Sequence, residues 1–501
     1  MARDSDIRKM SAIKRGEIMT VRQRLAALAM VVMILLAPAS DAGEAPLHLV
    51  AHESSYSLAP LGEIHLHRPA SVPRAIVLLL SDKNGWGSAE TVMARSLAKQ
   101  GFLVAGASTP SLVQRLEKAP GKCINPNYAL IALSRDVQHR AEVDRYHKPI
   151  VAGLGAGATL AFGALAQWPD GSYQGVISID PVPSLAGRKP WCAAPGFAAG
   201  RVTGPHAGWR FAPNRHNRIG WIALQSAEPP SIAPQRLLHF VAAVPGARLI
   251  RLPRQGDSTQ PPNQLNEQVG SSILSLLPRP AAAPLPGHIP LPDMPLTLVP
   301  ATGKGVDDLM AIAYSGDGGW VGIDRDLATQ LAGAGIPVVG IDSLAYFWTA
   351  RTPQGAGQDL AQLIRAFSQR WQKRRVLLIG YSFGADVMPY MVDNLDLDAR
   401  SRIDSVALLG LSATADFQFH LSSWLDIDSA NARPTLPAIQ RMKGIRLLCV
   451  RGQVEAESAC AAIPPGQAQQ FIVPGDHHFN RNAALLARII LGRRKAGFVA
   501  R

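Results

Sequence analysis

Gly380-Tyr381-Ser382-Phe383-Gly384 sets one hydroxyl between two glycines, directly after the apolar run Val376-Leu377-Leu378-Ile379. A strand that bends sharply into a helix with serine at the apex exposes that hydroxyl, and the flanking glycines let strand and helix pass closely. The Phe383 N–H then lies at the helix start, where backbone donors and the helix dipole can hold a developing oxyanion. A serine hydroxyl is a weak nucleophile until a base takes its proton. His477 and His478 follow a late apolar segment in Val473-Pro474-Gly475-Asp476-His477-His478-Phe479. His477, two residues after Gly475, is the expected base, with His478 as the alternative. The pair lacks the H-E-x-x-H pattern, which argues against a metal. An acid must fix the imidazole tautomer and stabilise its cation. Glu455 and Glu457 both follow Gly452 closely enough to serve, and the three-residue spacing points to Glu455. The second oxyanion donor is expected from the N–H of Asp317 or Gly318 in the glycine-rich stretch Tyr314-Ser315-Gly316-Asp317-Gly318-Gly319-Trp320.

Other residues near these motifs have two readings. Asp386 and Asp317 could pair with a substrate ammonium, or simply cap a helix and a turn. Tyr346, Phe347 and Trp348 could wall a pocket, although aromatic runs are more often core. His65 and His67 share one face of an expected strand and could bind a metal, or decorate an exposed edge.

Positioning these groups requires strands that end beside one another. In the second half of the chain, apolar runs predict strands at Met310–Tyr314, Pro337–Ile341, Val376–Gly380, Ser405–Gly410, Ile445–Val450 and Gln470–Val473. Helical periodicity predicts helices over Ile323–Ala334, Gln358–Trp371, Ala385–Asp393 and Asn482–Ile490. Such alternation is the pattern of an α/β fold, a mostly parallel sheet flanked by helices, with chemistry at the carboxyl ends of the strands. Every candidate above sits at one.

The two halves read alike. The stretch from Ala75 through the Gly85-Trp86 turn to Ser108 matches that from Leu309 through Gly319-Trp320 to Ser343. Residues 148–167 likewise match 374–394, and 247–258 match 468–479. Three matched blocks in the same order imply a duplicated domain. Gly155 stands where Ser382 would be and Ser258 where His477 would be, so the first copy is expected to be catalytically degenerate. The expected organisation is a signal over 1–42, a first domain over 43–276, a proline-rich linker over 277–295 and a catalytic domain over 296–501.

Composition bounds the partners. The 501 residues are 47% apolar and 18% charged, a globular balance with room for more than one core. Arg22 and Arg24 precede the apolar run Leu25–Leu36 and a small-residue stretch, Ala37 to Ala42, which together predict a cleaved export signal; Met19 is a second candidate start. Four cysteines in an exported chain can pair, and Cys123 with Cys192 and Cys449 with Cys460 keeps each bridge within one half. The formal net charge of +14 comes without a nucleic-acid motif, so an anionic lipid or envelope surface is the expected partner and nucleic acid is not.

Four motifs in order, Tyr314–Trp320, Val338–Trp348 with Arg351-Thr352-Pro353, Gly380–Asp386 and Pro474–Phe479, resemble the AcvB/VirJ bacterial virulence proteins. The two-domain layout resembles AcvB, and VirJ resembles the second half alone. The resemblance implies two tandem α/β-hydrolase-like domains in the periplasm and hydrolysis of aminoacyl-phosphatidylglycerol, chiefly the lysyl ester and in some members the alanyl one. It places Ser382 at the motif serine and His477 at the motif histidine, and its acid, commonly an aspartate, near Glu457. No cofactor is implied. A serine esterase or peptidase on another envelope substrate, or a non-enzymatic adaptor of a secretion system, are the competing expectations.

Overall fold

The computed structural model describes residues 52–59, 61–168, 171–205, 207–226, 230–252, 264–278, 294–303, 308–419 and 431–492. The expected signal, most of the expected linker and Ser258 lie outside the described residues.

Within 49–501, one compact unit, two sheets account for most strands. The first half contributes β1 (His52–Leu58), β2 (Gly62–Arg68), β3 (Ala75–Leu80), β4 (Phe102–Ala107), β5 (Ile150–Leu154) and β6 (Gly175–Ile179). A two-stranded ribbon, β7 (Ala199–Val202) and β8 (Gly208–Phe211), precedes β9 (Gly220–Gln225) and β10 (Ala247–Arg251). The second half contributes β11 (Leu296–Val299), β12 (Leu309–Tyr314), β13 (Val338–Ile341), β14 (Arg375–Tyr381) and β15 (Ile403–Leu409). A short pair, β16 (Thr414–Ala415) and β17 (Arg433–Pro434), then precedes β18 (Arg446–Gly452) and β19 (Gln469–Val473).

The first sheet runs β1-β2-β4-β3-β5-β6-β9-β10 and the second β11-β13-β12-β14-β15-β18-β19. With β1 set aside, the two orders are the same. Beyond β1, which pairs antiparallel with β2, each sheet has one antiparallel pairing, β2 on β4 or β11 on β13, and is parallel from there to its far edge. Central strands such as Ala-Ile-Val-Leu-Leu-Leu (β3) are buried along their whole length, because helices cover both faces of a parallel sheet. This is the α/β-hydrolase arrangement, present twice.

The duplication extends to packing details. Trp86 lies so close over β4 that a Cβ on Gly106 would sit 1.9 Å from its ring, and Trp320 lies over β13 in the same way against Gly340, at 2.3 Å. Each glycine leaves the space that its tryptophan fills. His65 and His67 belong to this packing: His65 stacks on Trp86 with ring centroids 4.7 Å apart, and His67 is buried. Because β1 pairs with β2 on its outer side, these histidines do not lie on an open sheet edge.

Disulfides join Cys123 to Cys192 and Cys449 to Cys460, as expected of an exported chain. Among the described residues, no helix is long and apolar enough to cross a membrane.

Candidate active site

β14 ends at Tyr381, and the helix Phe383–Asp393 begins two residues later. Between them Ser382 adopts φ 51° and ψ −121°, a conformation that an L side chain takes at a cost of about 1–3 kcal/mol. The flanking glycines make the bend possible. A Cβ on Gly380 would meet the Gly384 carbonyl oxygen at 2.3 Å, and one on Gly384 would meet the Tyr314 carbonyl oxygen of β12 at 2.3 Å. The first copy has the same construction, with Gly155 at φ 51° and Gly153 and Gly157 in equally tight contacts. Its apex simply lacks a side chain.

The loops after β18 and β19 bring the partners to the apex. His477 Nε2 lies 2.8 Å from Ser382 Oγ, and His477 Nδ1 lies 2.6 Å from Glu455 Oε1. Glu455 is itself oriented, because its Oε2 accepts the Gly452 N–H at 2.9 Å. The Cys449–Cys460 bridge spans this segment and closes it against β18. Burial by itself would lower the pKa of the His477 imidazole. The hydrogen bond and charge of Glu455, helped by Asp386 and Asp317, outweigh burial and hold it above the ordinary histidine value.

The other candidates fall elsewhere. Glu457, the position that the family resemblance favoured for the acid, is exposed; the chain turns back at Gly452, where Glu455 N–H donates to the Gly452 carbonyl, and it is Glu455 that faces the imidazole. His478 is exposed and places Nδ1 3.0 Å from the Tyr381 hydroxyl. Asp386 is buried, accepts the Ser412 N–H at 2.7 Å, and has its carboxyl pushed up to about 7, chiefly by burial. It supports the loop after β15. Tyr346 and Trp348 are both buried. The Tyr346 hydroxyl donates to Asp359 at 2.6 Å beneath Arg351, and Trp348 packs with Tyr146, Leu344 and Phe419 where the two halves meet.

The first copy shows what occupies the corresponding space when glycine stands at the apex. Ser81 and Ser315 are equivalent: their N–H groups donate to Ala107 and Ile341, and their hydroxyls accept from the Thr109 and Ser343 N–H groups. The next residue is Asp82 in one copy and Gly316 in the other. Asp82 Oδ1 accepts the Ala156 N–H at 2.8 Å, and a Cβ on Gly155 would lie 2.0 Å from that same oxygen. Ala156 corresponds to Phe383. A side-chain oxygen of Asp82 therefore already sits at the helix start in the first copy, filling the space that a nucleophile and its oxyanion would need. In the second copy Gly316 leaves that space open, and a Cβ there would lie 3.3 Å from Ser382 Cβ. The turn holding Asp317 and Gly318 thus runs directly past the serine.

Sequence reasoning missed Gly410, which follows β15 with φ 65°. A Cβ at this position would lie 2.7 Å from His477 Cε1. Its signal is the glycine ending the strand next to the serine strand, legible only once β14 and β15 are known to be neighbours. Gly410→Ala is expected to push the imidazole off its 2.8 Å contact and lower kcat by about 10- to 100-fold, while circular dichroism stays unchanged.

Residues 308–497 match the family described as bacterial virulence protein (VirJ). No curated protein matches the chain. Solved structures similar to it include Est1E from Butyrivibrio proteoclasticus, at 11% identity and TM-score 0.30, with 45% of this chain and 98% of that one covered. A dienelactone hydrolase from Anabaena variabilis is similar at 13% identity and TM-score 0.30, covering 46% and 98%. The esterase domain of a Rhodothermus marinus protein is similar at 14% identity and TM-score 0.29, covering 45% and 97%.

Proposed function

We propose that this chain, which matches the family described as bacterial virulence protein (VirJ) over residues 308–497, is a periplasmic serine hydrolase that removes the amino acid from lysyl-phosphatidylglycerol, with the alanyl ester as a second substrate. The observation that carries the reading is the continuous contact from Ser382 Oγ through His477 to Glu455, at 2.8 and 2.6 Å. An aminoacyl ester needs a nucleophile, an oxyanion site and a proton shuttle, and those groups converge here.

In this mechanism Ser382 Oγ attacks the ester carbonyl carbon while His477 Nε2 takes the hydroxyl proton. Glu455 holds the ring by Nδ1 and stabilises the imidazolium. The Phe383 N–H, with a donor from the Asp317-Gly318 turn, takes the developing oxyanion, each such donor contributing about 3 kcal/mol to the transition state. His477 returns the proton to the departing glycerol oxygen, and phosphatidylglycerol leaves. Water then adds to the seryl ester, losing its proton to His477, which passes it to Ser382 Oγ as the free amino acid departs.

Three features support the substrate and the location. The chain's surplus of 14 positive charges favours an anionic bilayer. Asp317, half-exposed and close enough to influence His477, offers a carboxylate to the substrate ammonium. Two disulfides suit an oxidising compartment. The test is purified protein mixed with phosphatidylglycerol vesicles containing the lysyl or the alanyl ester, with released amino acid measured by mass spectrometry. Release of lysine at a rate well above that from protein-free vesicles is expected. Turnover of a neutral ester such as p-nitrophenyl butyrate, with no amino acid from either lipid, would reassign the substrate. Inertness toward all three would leave the adaptor role instead.

A further inference from the structure

We infer that Arg135, supplied by the degenerate first copy, is a positioning residue for the oxyanion turn of the second copy. The assignment rests on the serine-hydrolase reading above. Arg135 lies on the helix Pro126–Arg140, 182 positions from its partner, and is 2% exposed. Its Nη2 donates a hydrogen bond to the Asp317 carbonyl oxygen, and its Nη1 lies 3.9 Å from Asp317 Oδ2. The guanidinium rests over the Phe419 ring, 4.4 Å from the centroid.

The peptide joining Asp317 to Gly318 is planar, so fixing its carbonyl oxygen also fixes the direction of the Gly318 N–H. Without such a hold, a turn made of Gly316, Asp317, Gly318 and Gly319 has unusually many backbone states open to it. One of those glycines, Gly319, already sits at φ 79°. Catalysis by an oxyanion site depends on donors that are in place before the charge forms. A grip on this peptide by a rigid, forked donor is a direct way to keep them there.

Burial of an arginine opposes its charge, and desolvation pulls the Arg135 pKa down against the pull of Asp317. An apolar side chain would seal an interface without that cost. The interface already has other fastenings: Trp348 Nε1 donates to the Val143 carbonyl at 2.7 Å, His139 stacks on Trp348 at 3.9 Å, and Lys148 Nζ lies 3.7 Å from Asp342 Oδ2. What Arg135 adds is contact with the turn itself. Arg135, Asp317, Gly318 and Tyr381 line one cleft of about 530 Å³. The first copy therefore has a function without a nucleophile of its own: it clamps the loop that its twin needs for chemistry.

The experiment uses the full chain and two reactions that need Ser382 but no lipid: phosphonylation by a fluorophosphonate probe and hydrolysis of p-nitrophenyl butyrate. Arg135→Met keeps a long apolar stem and removes the donors. It is expected to slow phosphonylation and lower kcat by about 10- to 100-fold, with KM within about twofold of wild type. Arg135→Lys, which keeps the charge but loses the fork, is expected to recover part of the rate. If Arg135→Met does not fold, Arg135→Gln takes its place with the same expected outcomes. Rates within twofold of wild type would overturn the assignment. So would a parallel loss of kcat, substrate affinity and thermal stability that Arg135→Lys does not relieve, since that is the signature of packing alone. A wild-type protein that fails to react with the probe would instead overturn the nucleophile reading, and this inference with it.

Discussion

Replacing Ser382 with alanine is expected to lower ester hydrolysis by about 10^6-fold while leaving the fold intact. The size follows from removing the atom that forms the acyl-enzyme, since triad members act as one unit and losing the nucleophile costs nearly as much as losing all three. Active-site titration with a fluorophosphonate would label wild type and spare the variant. The same position makes a second, opposite prediction about stability. Ser382 pays for its exposed hydroxyl with φ 51°, and Gly155 shows what the elbow adopts when chemistry is not required. Ser382→Gly should therefore be equally inactive but more stable than Ser382→Ala, by about 1 kcal/mol in urea unfolding. A Ser382→Ala protein retaining more than a few per cent of wild-type turnover would mean that another group is the nucleophile.

Much of this site was legible because its parts lie at the ends of strongly patterned elements. The runs around Met310, Val376 and Ile445 are apolar without interruption, and β12, β14 and β18 fall within a few residues of the expected bounds. The helix Phe383–Asp393 starts where the elbow motif requires. β11 escaped notice because Leu296–Val299 has only four residues, two of them exposed, and lies just beyond a run of prolines. The choice between Glu455 and Glu457 depended on a local turn at Gly452, whose hydrogen bond to Glu455 has no counterpart in composition or period. Tyr346 and Trp348 kept two readings, pocket wall or core, because aromatic character does not say which way a ring faces. Here the two rings go into the core and into the junction between halves. Gly410 and Arg135 were out of reach for a different reason: each acts on a residue far away in the chain, and only the strand order brings them together.

The acid assignment yields the other large effect. Glu455→Gln keeps the side-chain volume and an acceptor but removes the charge from His477 Nδ1, and kcat is expected to fall by about 10^3- to 10^4-fold. Glu457→Gln, altering an exposed carboxylate, should leave kcat within about twofold. The pH profile gives a sharper test than the rate. The base works when neutral, so activity falls as pH drops through the His477 pKa, which Glu455 holds above the ordinary value. Without that carboxylate, the dominant remaining influence is burial, which disfavours the imidazolium. The acid limb of kcat/KM should accordingly move to lower pH in Glu455→Gln. Stability moves with the same proton. A folded-state pKa raised above the unfolded one contributes stability that is fully present below the unfolded value of about 6.5 and is lost as pH rises through the folded value. Unfolding curves of wild type and Glu455→Gln should therefore differ more at pH 5 than at pH 8 in what this pair contributes. An acid limb that stays fixed, or moves to higher pH, would show that Glu455 does not hold the imidazole.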